Sequence, residues 1–253
     1  MKKYLLIILS LCAALGSYAQ TDGPLSLFSG LEYEVNAGVN IGGTSPIPLP
    51  AEIRKIDSYS PNLNLQVGTT VTKWLGVDHR WGVAVTLRLG TKGMETGAQV
   101  KNYGMEIYQD GKKLAGRWTG RVHTKYHSQQ LEIPVTAVYR VNRRFKVNAG
   151  AYVAYAFNNG FDGYVEEGYL RVGDPTGDKV VFEDGSRATY DFGENLRRFQ
   201  WGLQAGVSWV AYKHLLVNAN LTWGLNGAFE SSFKTISFGM YPIYLNAGFG
   251  YVF

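Results

Sequence analysis

The sequence predicts an all-β protein, an eight-stranded antiparallel up-and-down transmembrane β-barrel with long extracellular β-hairpin loops. Three observations predict it. The closing stretch Tyr241–Phe253 alternates strictly: its odd positions are Tyr, Ile, Leu, Ala, Phe, Tyr and Phe, and its even positions Pro, Tyr, Asn, Gly, Gly and Val. A strand sends alternate side chains to opposite faces, so this segment has one apolar, aromatic-rich face and one small, mostly polar face. The same alternation recurs in seven earlier segments, joined by connections that run long, short, long, short, long, short, long. Finally, after the leader no stretch approaches the roughly 18 uninterrupted apolar residues of a membrane helix.

Residues 1–19 read as a signal peptide. Lys2-Lys3 form its basic region, Tyr4–Leu15 its apolar region and Ser17-Tyr18-Ala19 its cleavage site. The single cysteine, Cys12, follows the bulky Leu11 and is trailed by further signal-like residues, which argues against a lipid-modified cysteine. Cleavage near Ala19 after Sec export leaves a mature chain without cysteine and hence without a disulfide. Without Lys2 and Lys3 the chain has 23 basic and 20 acidic residues, an excess too small and scattered to argue for nucleic acid. Aromatics make up 14 % of the residues and there are 31 glycines, which suits an outer-membrane barrel.

Residues 20–30 read as a periplasmic lead-in, and 31–253 as the barrel domain. The first strand, Leu31–Gly43, alternates Leu31, Tyr33, Val35, Ala37, Val39 and Ile41 with Glu32, Glu34, Asn36, Gly38, Asn40 and Gly42. Thr44–Asn62 carries Pro46, Pro48, Pro50 and Pro61, and proline removes ladder donors, so it is expected to be a loop. Strand two is Leu63–Leu75, followed by the tight turn Gly76–Arg80 and strand three, Trp81–Lys92. The long connection Gly93–Tyr126 contains Asp110-Gly111, a hairpin signal because both residues tolerate positive φ, and is expected to form a β-hairpin above the barrel. Strand four, His127–Val141, turns at Asn142–Arg144 into strand five, Phe145–Phe157. In the next long connection, Asn158–Asn195, turns are expected at Asp174-Pro175-Thr176-Gly177 and Glu183-Asp184-Gly185-Ser186, with added strands between. Strand six (Leu196–Ala211), the turn Tyr212-Lys213, strand seven (His214–Asn226) and the connection Gly227–Met240 lead to the last strand.

On every strand the odd positions carry the continuous apolar set. A soluble sandwich would need a second apolar layer over the opposite face, and no amphipathic helix is available to supply it. In lipid, the apolar face meets acyl chains and closure removes the sheet edges. Aromatics gather where two membrane interfaces should lie. Trp81, Tyr139, Phe145, Trp209 and Phe253 sit near short turns; Tyr155, Phe157, Phe199, Trp201, Trp223 and Tyr241 sit near long loops.

Three stretches carry a family resemblance: Glu34-Val35-Asn36-Ala37-Gly38-Val39-Asn40, Leu131-Glu132-Ile133-Pro134, and Ala247-Gly248-Phe249-Gly250-Tyr251-Val252-Phe253. With them the mature chain resembles the PorT-like small outer-membrane β-barrel family of Bacteroidota. The resemblance implies the fold. It also implies a link to type IX secretion and gliding for PorT itself, and no motif here carries that role across. The terminal strand ending at Phe253 resembles the signal by which barrels are recognised for assembly, which implies the barrel assembly machinery as a partner.

An eight-stranded barrel is about wide enough inside for its own side chains. The expected lumen carries Glu32, Glu34, Arg88, Lys92, Glu132, Arg140 and Lys146. Arg88 and Glu132 should stand at similar height and pair as a plug; an ion or proton path is the alternative. Glu32, Glu34, Arg140 and Lys146 are expected to neutralise one another near the periplasmic mouth. His79 and His214 read as solvated turn residues. His123 and His127 would lie roughly 13 Å apart along an extended strand, too far to share a metal. His127-Ser128 is similar to the pair that outer-membrane lipid deacylases need on one face, but adjacent strand residues face opposite ways. Asp174, Asp178, Glu183 and Asp184 lack the ligand spacing of a calcium loop, and Glu166-Glu167 reads as a solvated acidic pair. No phosphate-cradling glycine loop or nucleophile elbow is present. These readings lead to a non-enzymatic barrel without cofactor or metal. Its expected partners are membrane lipid, lipopolysaccharide and an extracellular ligand, and its expected role is surface binding, adhesion or envelope integrity. The alternatives are a narrow porin-like channel and an accessory barrel in protein export.

Overall fold

In the structure, a computed structural model, residues 30–109 and 112–253 are described; the expected signal peptide, its cleavage site, most of the lead-in and the Asp110-Gly111 turn lie outside them. Within Glu32–Phe253 ten strands form one sheet: β1 (Leu31–Pro46), β2 (Ile53–Ser60), β3 (Asn64–Leu75), β4 (Trp81–Gln109), β5 (Lys112–Arg140), β6 (Phe145–Val172), β7 (Lys179–Asp191), β8 (Phe199–Tyr212), β9 (Leu215–Gly224) and β10 (Met240–Val252). Eight of them close a ring in the order β1-β3-β4-β5-β6-β8-β9-β10. Closure is antiparallel between β1 and β10, running from Glu34 opposite Val252 to Pro46 opposite Met240. Along the lipid-facing height the ring closes without a free edge, so its strands can satisfy their backbone groups there without water.

Alternation sorts the side chains as the sequence indicates. Leu65, Val85, Val153 and Leu221 face outward, 58, 47, 42 and 49 % exposed, while their neighbours Gln66 and Asn220 are 4 and 8 % exposed and point inward. Three short connections lie at one end. Gly76 and His79 adopt positive φ in the first. In the second the Asn142 Oδ1 accepts the backbone N–H groups of Arg144 (2.8 Å) and Phe145 (2.9 Å), and Lys213 takes positive φ in the third.

The opposite end differs from expectation in two respects. Thr44–Asn62 is not all loop, since β2 pairs with β4 from Ile53 opposite Val100 to Ser60 opposite Glu95. The prolines lie outside that strand, at Pro46–Pro50 before it and Pro61 after it, so its proline-free stretch can still donate to a ladder. The expected hairpin in Gly93–Tyr126 is present above the barrel. It is the continuation of β4 and β5, which are 29 residues each and stay paired to Gln109 opposite Lys112. Glu183–Ser186 is not a turn but lies inside β7, where Glu167 and Gly185 at positive φ accommodate a register shift between β6 and β7. The expected turn at Asp174–Gly177 is present, with Asp174 Oδ1 accepting the Thr176 N–H at 2.7 Å.

Between the two ends the interior changes character. Along the lipid-facing height it is polar, with Asn40, Gln66, Thr86, Arg88, Glu132, Gln204, Asn220 and Asn246 buried. Beyond it, the extended β4, β5 and β6 together with β7 and the 227–239 connection enclose an apolar core that includes Met105, Ile107, Trp118, Tyr126, Phe161, Val165, Leu170 and Phe192. A bulge between Val100 and Tyr103, with Asn102 at φ 57°, moves the inward set of β4 from even to odd numbers.

Candidate functional site

The lumen is crossed by a network anchored on Glu132. Register places Glu132 of β5 directly opposite Arg88 of β4, with both side chains turned inward by the alternation. Arg88 Nη1 donates to Glu132 Oε2 at 3.1 Å and also to Gln204 Oε1 on the far wall at 3.2 Å. Lys92 and Gln130 donate to Glu132 Oε1. Gln204 Nε2 donates to Asn148 Oδ1 at 3.4 Å, and Asn148 Nδ2 to Asn220 Oδ1 at 3.1 Å. The chain of bonds thus joins β4, β5, β6, β8 and β9 across the bore. Two cations share one buried carboxylate, and the Lys92 ammonium completes its surroundings with the rings of Tyr152 and Tyr244, 5.4 and 5.3 Å away.

Towards the short-turn end lies a cavity of about 50 Å³, lined among others by Gln66, Thr70, Arg88, Asn218 and Asn220. That is room for a few water molecules among polar partners. At the mouth, Lys146 pairs with Glu32, and Arg140 Nη2 lies 3.4 Å from Glu32 Oε2. The Arg140 guanidinium covers the Trp74 ring at 4.0 Å, while Trp74 Nε1 donates to Glu32 at 3.2 Å. Glu34 stands beside this cluster, within electrostatic reach of Lys146 and Glu32, and its side chain accepts from Asn218 Nδ2 on β9 at 2.6 Å. Of the seven expected lumen charges, the structure therefore gathers Arg88, Lys92 and Glu132 at mid-height and Glu32, Arg140 and Lys146 at the mouth.

Outward-facing aromatics form two bands. Trp81 and Tyr139 meet at 4.7 Å and Phe145 and Trp209 at 6.4 Å near the short turns, and the exposed Phe253 packs its ring against Tyr251 at 5.1 Å. Tyr155, Phe157, Phe199, Trp201 and Trp223 are exposed near the opposite end, with Tyr241 half-buried.

The histidines do not converge. His214 Nδ1 is 2.8 Å from the Val252 carbonyl, and His79 lies in its turn. Ser128 is buried in the lumen, while the preceding His127 turns to the other face and covers Gly160. His123 stacks on Tyr164 at 4.5 Å, with its Nε2 3.0 Å from Glu166 Oε1. Glu166 also accepts from Arg187 Nε at 2.8 Å, and Arg121 pairs with Glu167 at 3.0 Å, so this acidic pair is held by cations instead of standing bare. Burial opposes ionisation of Glu166, but Arg187 and His123 outweigh it and hold the carboxyl below its ordinary range. Asp174 serves its own turn; the side chains of Glu183 and Asp184 lie outside the described residues.

Sequence reasoning missed the apolar core above the lumen and a side pocket of about 340 Å³ between β1 and β2. The odd-numbered run Tyr103, Met105, Ile107 was the available signal.

A family model for the outer membrane protein beta-barrel domain matches residues 18–230. No curated protein matches the chain by sequence. Similar solved structures include Ail, the attachment invasion locus protein of Yersinia pestis, in complex with the heparin analogue sucrose octasulfate, at 8 % identity and TM-score 0.38, covering 88 % of this chain and 97 % of that one. Neisserial surface protein A has 10 % identity and TM-score 0.34, covering 88 and 97 %. The outer membrane protein OprG of Pseudomonas aeruginosa has 14 % identity and TM-score 0.36, covering 88 and 95 %.

Proposed function

The chain belongs to the outer membrane protein beta-barrel domain family, and from that premise we propose that it is a sealed, non-enzymatic barrel that works through its outer extension, in surface binding, adhesion or envelope integrity. The observation that carries this reading is double closure. The Glu132 network spans the bore, and above it the interior is an apolar core with Ile107, Trp118, Val165 and Leu170 fully buried. An ion following the axis would have to displace a charge-assisted crossbar and then enter a mostly apolar cluster that holds no charged side chain among the described residues, which is costly for any charge. The same core makes the extension a stiff platform, with the outward faces of β5, β6 and β7 available to partners.

Within the family we place the chain beside the PorT-like small barrels of Bacteroidota on the three stretches quoted above. Lipid and lipopolysaccharide are its surroundings, and the strand ending at Phe253 is the handle for the assembly machinery. A role in protein export stays with the resemblance alone.

Planar-bilayer recording tests the seal. The mature protein is expected to give no discrete conductance steps in 1 M KCl, and neither is the double variant R88A/E132A, because the apolar core remains. Stable steps from the wild type would make it a narrow channel. Cells producing a barrel trimmed of residues 100–119 and 166–187 are expected to lose surface attachment or deoxycholate resistance although the barrel is still inserted.

A further inference from the structure

The wall of the barrel has a slot. Asn64, at the top of β3, donates through Nδ2 to the carbonyls of Asn40 on β1 (3.3 Å) and Gly93 on β4 (2.9 Å), tying the three strands together at that height. Above it β2 takes over the place beside β4, but β2 pairs with no other strand of the ring. The edge of β1 from Ile41 to Pro46 therefore faces β2 without a ladder. Its link to β2 is the Tyr59 hydroxyl, which donates to the Gly42 carbonyl at 2.8 Å.

The slot opens into the pocket of about 340 Å³, within the size range of small-molecule sites. Gly43–Pro46, Leu49, Ile53, Ile56 and Tyr59 frame it, and Met94, Val100, Tyr103, Val122, Phe161 and Met240 form its floor and back wall. Among the described residues none that lines it is charged. At Gly43 a Cβ would lie 2.4 Å from Met94 Sδ, so glycine leaves the space that the adaptable thioether occupies.

Height identifies the occupant. Ser45 pairs with Tyr241 and Gly43 with Ile243, so the slot lies level with the aromatic band near the long loops. Directly below it, Ile41, Leu63 and Leu65 are exposed on the lipid-facing belt, and Leu49, Ile56 and Tyr59 are exposed at the mouth, so apolar side chains are present both on the belt and at the entrance to the pocket. The pocket's polar groups are a few hydroxyls, among them those of Thr44, Ser45, Thr96 and Thr124, and most of the remaining lining is aliphatic, aromatic or thioether. We propose that the slot between β1 and β2 binds a single unbranched acyl chain that enters sideways from the outer leaflet, its polar end left at the interface. This is independent of what the outer sheet binds.

The test uses the mature chain in phosphatidylcholine nanodiscs with 11-(dansylamino)undecanoate as probe. Saturable emission, one probe per barrel and displaced by palmitate, is expected. Ala98→Trp, which fills the pocket, should weaken binding at least tenfold, while Leu221→Trp on the distant lipid face should not. Non-saturable partitioning, or equal binding by wild type and A98W, would overturn the proposal. Photolabelling of the wild type with a diazirine fatty acid avoids reliance on any variant. Palmitate-sensitive labels within residues 43–59 and 94–100 support the site; labels spread evenly over the lipid belt and indifferent to palmitate exclude it.

Discussion

At Glu132 two cations converge on one buried carboxylate, and that ratio decides what a substitution there does. Glu132→Gln keeps the shape but leaves Arg88 and Lys92 facing each other without a counter-charge. Breaking a buried pair from one side typically costs about 3–5 kcal/mol, because the remaining charge stays desolvated. E132Q should therefore unfold at lower urea than wild type by about that free energy, read from the heat- and urea-sensitive gel mobility of the barrel, and R88M/E132M should recover part of the loss. Glu166 offers a titration. Its folded pKa is held below the ordinary carboxyl value by Arg187 and His123, against the cost of burial. Its stabilisation is therefore complete above that value and is lost as pH falls through the folded pKa. The side-chain carboxyl carbon of Glu166 should titrate by NMR with a midpoint below that of an unpaired glutamate, and Arg187→Ala should move the midpoint upward.

At the scale of elements, one bulge decides which face of the outer hairpin is oily. Asn102 inserts an extra residue into β4, so Tyr103, Met105 and Ile107 point inward although Met94 and Val100 below them are even-numbered. Deleting Asn102 would turn that set outward, because a one-residue slip exchanges the two faces of a strand. The outer hairpin of the deletion variant should become protease-sensitive while the lower barrel stays folded, whereas Asn102→Gly should keep it protected. This bulge also explains what could and could not be seen in the sequence. The eight ring strands were legible because Leu65, Val85, Val153 and Leu221 keep one parity along the lipid-facing height. The same parity test fails above it, where inward residues change from even to odd within one strand. β2 was illegible for a different reason: after Ile53 its residues are exposed, so Arg54–Ser60 carries no alternation to read, and prolines flank it. The Arg88–Glu132 juxtaposition followed from counting along two adjacent strands. The bonds from Arg88 to Gln204 did not, since sequence order says nothing about which side chains meet across the bore.

For the whole molecule, lipid and water divide the work. Crossing the hydrocarbon takes about 9–11 tilted strand residues, yet β4, β5 and β6 run for 28 or 29. The excess builds the capped extension, whose apolar core lets it stand without further support. What makes the lower part a membrane body is the outward position of the apolar face, and that face can be probed directly. Cys12 is the only cysteine in the sequence, so with Cys12→Ser in place a single cysteine introduced within residues 31–253 carries a spin label without competition. Oxygen and a nickel chelate then report lipid and water at positions 65, 66, 85, 153, 220 and 221 of the protein in liposomes. Labels at 65, 85, 153 and 221 should be readily reached by oxygen and not by nickel, and labels at 66 and 220 should be shielded from oxygen. Oxygen accessibility highest at 66 and 220, with 65, 85, 153 and 221 shielded, would contradict the fold's placement in lipid.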